Sequence, residues 1–167
     1  MALPRHLRNF QVFVDGRGKA GNADEVTPPV LSLVTEEHRA GGMDSAVEID
    51  MGLEVMELSI VLSDYDETVI NGFGLLGTGV PLTLRGAIQR QGEPVQPVTI
   101  KALGHLKSRD TGTWTAGSKQ TTTLTYSVRR YSEEINGVEY VNIDVERMIR
   151  VINGVDQVAG QRAAIGL

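Results

Sequence analysis

The chain has 167 residues, 41% of them hydrophobic, enough for one domain that buries roughly two thirds of its unfolded surface. It contains no cysteine, which excludes disulfides, thiolate catalysis and cysteine-ligated zinc. Acids outnumber bases 21 to 16, a formal charge of −5, and no basic patch is evident to neutralise nucleic-acid phosphates, so tight DNA binding is not expected.

The opening MALPRHLRNFQVFVDG is basic but never reaches the apolar core of a signal peptide. No run approaches membrane-spanning length, so no membrane anchor is expected. FQVFV, VLSLVTEE and MELSIVL read as strands. Ser63 is expected to cap the one short helix, with Asp64, Asp66 and Glu67 in its first turn, Val69, Ile70 and Phe73 behind them, and Gly72 and Gly74 ending it. Leu82, Leu84 and Ile88 alternate with polar residues in PLTLRGAIQR, and VTIKALGHLKS predicts a further strand with a bulge at Gly104. Trp114, the single tryptophan, is expected as a half-buried ring closing one end of a barrel.

The clearest strand pattern is TTTLTYSVRR, where Leu124, Tyr126 and Val128 alternate with Thr123, Thr125 and Ser127. Asn136-Gly137 then predicts a type I′ turn into VEYVNIDV, because both residues tolerate positive φ. The C-terminal stretch mixes helix and strand periods and reads as a strand end plus a docked tail, around residues 153–167. No repeat or proline-rich linker divides the chain. The fold class expected is mainly β, a single antiparallel sandwich or barrel spanning 1–167 with one short helix.

Chemistry is poorly represented. His6, His38 and His105 lack the spacing of a metal motif, no G-x-S-x-G elbow occurs, and GFGLLGTG lacks the Gly-Lys-Ser/Thr ending of a phosphate loop. The acids of SDYDETV are accounted for by the helix start and lack calcium-loop spacing. No catalytic residue, metal or cofactor is expected.

RAGGMDSAVEIDMGLEVMEL is different: Gly41-Gly42 opens a loop, and Ala46, Glu48 and Asp50 then alternate with Val47, Ile49 and Met51. That pattern suits either a hairpin arm packed on its own core or an extended arm, hinged at glycine, that docks through methionine on another subunit. Three blocks resemble the major tail tube proteins of contractile-tailed bacteriophages. The first is LPRHLRNFQVFVDGRGKAG, with Pro4, Leu7, Asn9, Phe13, Asp15, Gly16 and Gly21; the last is INGVDQVAGQRAAIGL, with Asn153, Gly154, Val155, Asp156, Arg162, Gly166 and Leu167. Between them EEHRAGGMDSAVEIDMGLE carries Arg39, Ala40, Gly41, Gly42, Met43, Asp50, Gly52 and Leu53, with Val30 and His38 departing from the family pattern nearby.

The resemblance implies a non-enzymatic virion protein, made and assembled in the bacterial host cytoplasm, whose homohexameric rings stack into the inner tube of a contractile tail. It implies as partners the chain itself, a tail sheath protein, a tape-measure protein, and baseplate and tail terminator proteins, with genomic DNA passing through the lumen without specific binding. An inter-subunit arm around 36–58 would use Arg39, Gly41, Gly42, Met43, Asp50, Met51 and Gly52 as contacts between subunits and rings. An acidic bore wall, with Glu48, Glu133, Glu134 and Glu139 as candidates, would repel the DNA backbone. Two other readings stay open: the inner tube of a genome-free, R-type bacteriocin-like particle, and a monomeric carbohydrate-binding β-sandwich using Trp114.

Overall fold

The computed structural model describes residues 3–75, 77 and 79–167, and its architecture is antiparallel β. Three long strands form the backbone of the fold: β7 (Val80–Gln89), β8 (Gln96–Asp110) and β9 (Thr122–Ile135). β1 (His6–Val14) lies on the free side of β7, with the two-residue β2 (Arg17–Gly18) folded onto its end.

β9 has a different partner on each half of its second edge. Residues from Thr122 to Val128 pair with β6 (Met56–Leu62), which in turn pairs with β3 (Ala23–Thr27). Beyond Arg129, the strand pairs instead with β10 (Val138–Asp144), followed by β11 (Ile149–Ile152) and β12 (Val155–Asp156). The changeover is a β-bulge. Leu103 faces Arg130 and Gly104 faces Val128, so Arg129 is the extra residue and Gly104 stands opposite it. A Cβ on Gly104 would lie 2.3 Å from the Ser127 carbonyl oxygen, so only glycine fits there.

The barrel nearly closes, because β1 and β3 approach each other across the segment that carries Lys19. The Lys19 N–H donates to the Val12 carbonyl (2.8 Å), and its own carbonyl accepts from Asn22 and Ala23 (3.1 Å each). Inside lie Val12, Met56, Leu58, Ile60, Leu82, Leu106, Leu124 and Tyr126, all fully buried. Alternation along β9 reappears as inward-facing Leu124, Tyr126 and Val128, as the sequence predicts. Asn136 and Gly137 both have positive φ (51° and 82°), the turn expected between β9 and β10.

Three expectations need correction. Ser63 does not cap the helix: its N–H and hydroxyl both donate to the Asn22 carbonyl (2.8 and 3.2 Å), fastening the end of β6 to the start of β3. The cap of α1 (Glu67–Ile70) is Asp66, which accepts from the Thr68 amide, and of the apolar residues behind it only Val69 is buried while Phe73 is exposed. A second short helix, α2 (Ala159–Ala164), occupies the C-terminal tail, where Asn153-Gly154 and Gly160 had obscured any helical period. Trp114, 71% exposed, does not close the barrel; it meets Tyr65 edge to face with ring centroids 6.3 Å apart.

Candidate assembly surface

A two-stranded hairpin stands apart from the main sheet, formed by β4 (Leu33–His38) and β5 (Val47–Leu53). Its strands pair with each other and with no other strand among the described residues. The alternation read from sequence holds along β5, but its apolar side is uncovered: Val47 is 54% and Met51 58% exposed, with Ile49 between them and Val34 of β4 on the same face. The polar side places Glu37 directly opposite Glu48, a like-charge pair that costs stability in an isolated ladder. The hairpin ends at Leu53, since the next strand, β6, buries Met56 and Leu58 in the core.

The residues singled out from sequence divide into two groups. Arg39, Gly41, Gly42 and Met43 form the tip. There Gly42 adopts φ +93°, the Met43 N–H donates to the Ala40 carbonyl (3.2 Å), and the Met43 sulfur accepts from the Ala40 N–H (3.4 Å). Arg39 donates across the tip to the Asp44 carbonyl (3.2 Å), and Met43 folds half-buried over the turn.

Asp50, Met51 and Gly52 lie at the base, where Thr35 faces Asp50 but Leu33 faces Leu53, so Met51 and Gly52 together oppose Val34 alone. This bulge requires φ +123° at Gly52, a backbone region that side-chain-bearing residues avoid. Asp50 does not pair with Arg39. It accepts from the Gly52 N–H (2.8 Å) and from the guanidinium of Arg150 on β11 (2.6 Å), which together hold its carboxyl below the usual range.

Arg150 extends this clasp into the C-terminal region. Its backbone N–H donates to Asp156 (3.3 Å), and Asp156 accepts from Arg162 of α2 (2.7 Å), which also donates to the Met148 carbonyl (2.9 Å). The Arg162 hydrogen bond is the main cause holding the Asp156 carboxyl low. Sequence reading placed Asp156 and Arg162 in a family block without a task, and Arg150 carried no local signal, because its partner is a hundred positions away. A cleft of about 640 Å³ opens beside the clasp, lined by Met51, Leu53, Val55, Val145 and Met148 among others.

Among the described residues no three His, Cys, Asp or Glu side chains come together as a metal site would require. No helix among the described residues is long and apolar enough to cross a membrane. The family model described as phage tail tube protein FII matches residues 4–166. The chain belongs to the phage tail tube protein FII family. The tail tube protein of Escherichia phage P2 is 33% identical over 173 residues, covering all of both chains. The major tail tube protein of Serratia phage KSP20 is 38% identical over 72 residues, 42% of each protein.

Two solved structures share the fold of this tail tube protein. One is the sheath-tube complex of an extracellular contractile injection system in its extended state, with a TM-score of 0.61 and 15% identity over 78% of this chain and 91% of the other. The second is the sheath/tube terminator of the same kind of system, with a TM-score of 0.59 and 13% identity over 78% and 96% of the two chains. The chain is thus a structural protein of the inner tube of a contractile phage tail, and a virion component.

Proposed function

We propose that this chain builds the tube as hexameric rings stacked end to end, and that the β4–β5 hairpin is the arm joining subunits within and between rings. The observation that carries this is the hairpin itself. A strand pair with both faces in solvent gains little from its own packing and gains much once its apolar side is covered by another subunit. On this reading the tip, with Arg39, Gly41, Gly42 and Met43, makes the distant contact. The base, with Asp50, Met51 and Gly52, sets the direction in which the arm leaves its own subunit.

The open edges of β1 and of the β10–β12 flank supply backbone donors and acceptors for neighbouring subunits, which would join their sheets around the lumen. The role is non-enzymatic. A sheath protein would enclose the tube, a tape-measure protein would fill it during growth, baseplate and terminator proteins would bound it, and genomic DNA would pass through. Similarity to the phage P2 protein along the whole chain supports a genome-carrying tail. A neutral to negative bore suits that passage, and Glu133, Glu134 and Glu139, gathered at the β9–β10 turn, are candidates to line it together with Glu48.

The test is negative-stain electron microscopy of concentrated protein, with light-scattering mass on the same sample. Six-fold rings or hollow tubes are expected. Met43→Asp and Gly42→Pro should leave a folded monomer that no longer forms them. A particle that stays monomeric at every concentration, even with a cognate baseplate extract, would overturn the reading.

A further inference from the structure

The exposed aromatic end of the barrel has no task in the arm model. Tyr65 and Trp114 meet edge to face, the guanidinium of Arg109 lies 5.4 Å from the Tyr65 ring centroid, and Phe73, which bridges Leu106 three residues before Arg109 on β8, is exposed as well. Tyr65 and Trp114 thus leave adjoining aromatic surface exposed among polar loop residues. Around it the lysines are engaged: Lys19 pairs with Asp66 and Lys119 with Asp24 (2.7 Å). Asp64, Glu67 and Asp110 remain exposed without a salt bridge among the described residues; Arg109, on the Tyr65 ring, has none either, and three carboxylates against this one cation leave the rim net acidic.

At the other end of the same sheet lies the complement. His6 faces Gln89, whereas Val14 faces Leu82 and Val80 faces Gly104; β8 then runs on past Leu106, which bridges Phe73, to Asp110. The start of β1 and the aromatic patch therefore cap opposite ends of the strands. Residues 3–9 are all exposed although β1 is paired with β7, and they combine Leu3 and Leu7 with Arg5, His6 and Arg8. Arg5 donates to the neutral amide of Gln96 (2.8 Å), and neither arginine forms a salt bridge among the described residues.

We propose that the acidic aromatic end of one copy receives the basic, apolar start of β1 of a second copy, head to tail. Two different surfaces at opposite ends of one molecule make a heterologous contact that propagates as an open stack. This rests on the stacked-ring reading and assigns it an inter-ring interface separate from the arm.

The chain lacks cysteine, so paired cysteines report proximity without background. Thr113→Cys and His6→Cys, mixed and mildly oxidised after assembly, should give a disulfide-linked dimer, and the double variant a ladder of multimers; neither should appear below the assembly concentration. Trp114 emission should shift to the blue on assembly, since it is the only tryptophan and is 71% exposed in the single chain. Trp114→Ala should leave the monomer's circular dichroism unchanged and lose tubes while keeping rings, with Trp114→Phe restoring them. Tubes that form with no 6–113 cross-link and an unshifted tryptophan would overturn the inference and leave the patch free for another protein. If neither rings nor tubes form at any concentration, even with a cognate baseplate extract, the stacked-ring reading itself falls, and this inference with it.

Discussion

Replacing Lys19 by methionine tests how the barrel seam is held. Lys19 is only 6% exposed, and its ammonium pairs with Asp66, the residue that also caps α1. Methionine keeps the length of the stem and removes the charge, leaving a largely covered carboxylate. Breaking a buried ion pair costs about 3–5 kcal/mol. Here the Asp66 carboxylate still accepts from the Thr68 hydroxyl (2.6 Å) and amide (2.9 Å), so a loss of about 2–3 kcal/mol is expected. For a chain of this size that lowers Tm by roughly 5–10 °C.

The same pair predicts a pH dependence. Burial pushes the Asp66 carboxyl up, but the Lys19 ammonium and the two Thr68 donors outweigh it and bring the pKa from 3.8 to about 2. The folded value lies below the unfolded one, so the contribution is complete above pH 3.8 and is lost as pH falls towards 2. That drop corresponds to about 2 kcal/mol. Urea unfolding of the monomer, followed by circular dichroism from pH 7 down to 2.5, should show the variant well below the parent at neutral pH and approaching it in acid. A Lys19→Met variant within about 0.5 kcal/mol of the parent at pH 7, a change ordinary for an unimportant surface site, would refute the reasoning.

Three further outcomes are expected. Gly104→Ala drives a methyl into the Ser127 carbonyl at the bulge, where backbone and not a flexible side chain is in the way, and should cost about 3 kcal/mol or more, read as a fall in Tm or as insoluble expression. Asp50→Asn removes the charge that clasps Arg150, so hydrogen exchange should quicken at the base of the hairpin and at β11 while the amides of β8 and β9 keep their protection. Glu48→Gln removes a like-charge opposition with Glu37 and should stabilise the hairpin by a few tenths of a kcal/mol, detectable as slower exchange across β4 and β5.

What could be read from the sequence was local. Leu124, Tyr126 and Val128 declare the inner face of β9 and Asn136-Gly137 the following turn, because each signal is written within a few neighbouring residues; Gly104 marked the place of a bulge, but the extra residue is Arg129 on the facing strand, which the local sequence of β8 could not reveal. Ser63 and Asp66 lie three positions apart and are both good caps, and what decided between them was Asn22, whose carbonyl takes Ser63 and which lies 41 positions away. Arg150 and Lys19 were unreadable for the same reason, since a surface arginine and a loop lysine look alike until their partners are known. The assembly segment was recognisable as a strand pair with one apolar side, but the division of its residues between a tip and a clasped base depends on a register set by Gly52.

β9 joins the β6–β3 pair to the β7–β8 side of the barrel, and this has a consequence for synthesis. Its residues, Thr122–Ile135, hold β8 on one edge and both β6 and β10 on the other. While the ribosome is still making the first 121 residues, β6 can pair with β3 but has nothing on its second edge, and β8 is likewise half-satisfied. The nascent chain therefore exposes two unfinished strand edges until a late segment emerges to pair with both. Closure arrives as one late event joining partners as far apart as Met56 and Val128, the kind of long-range pairing that slows folding. A host cell producing many copies at once must keep those edges apart for that interval, so the demand for chaperoning falls before the last quarter of the chain is complete.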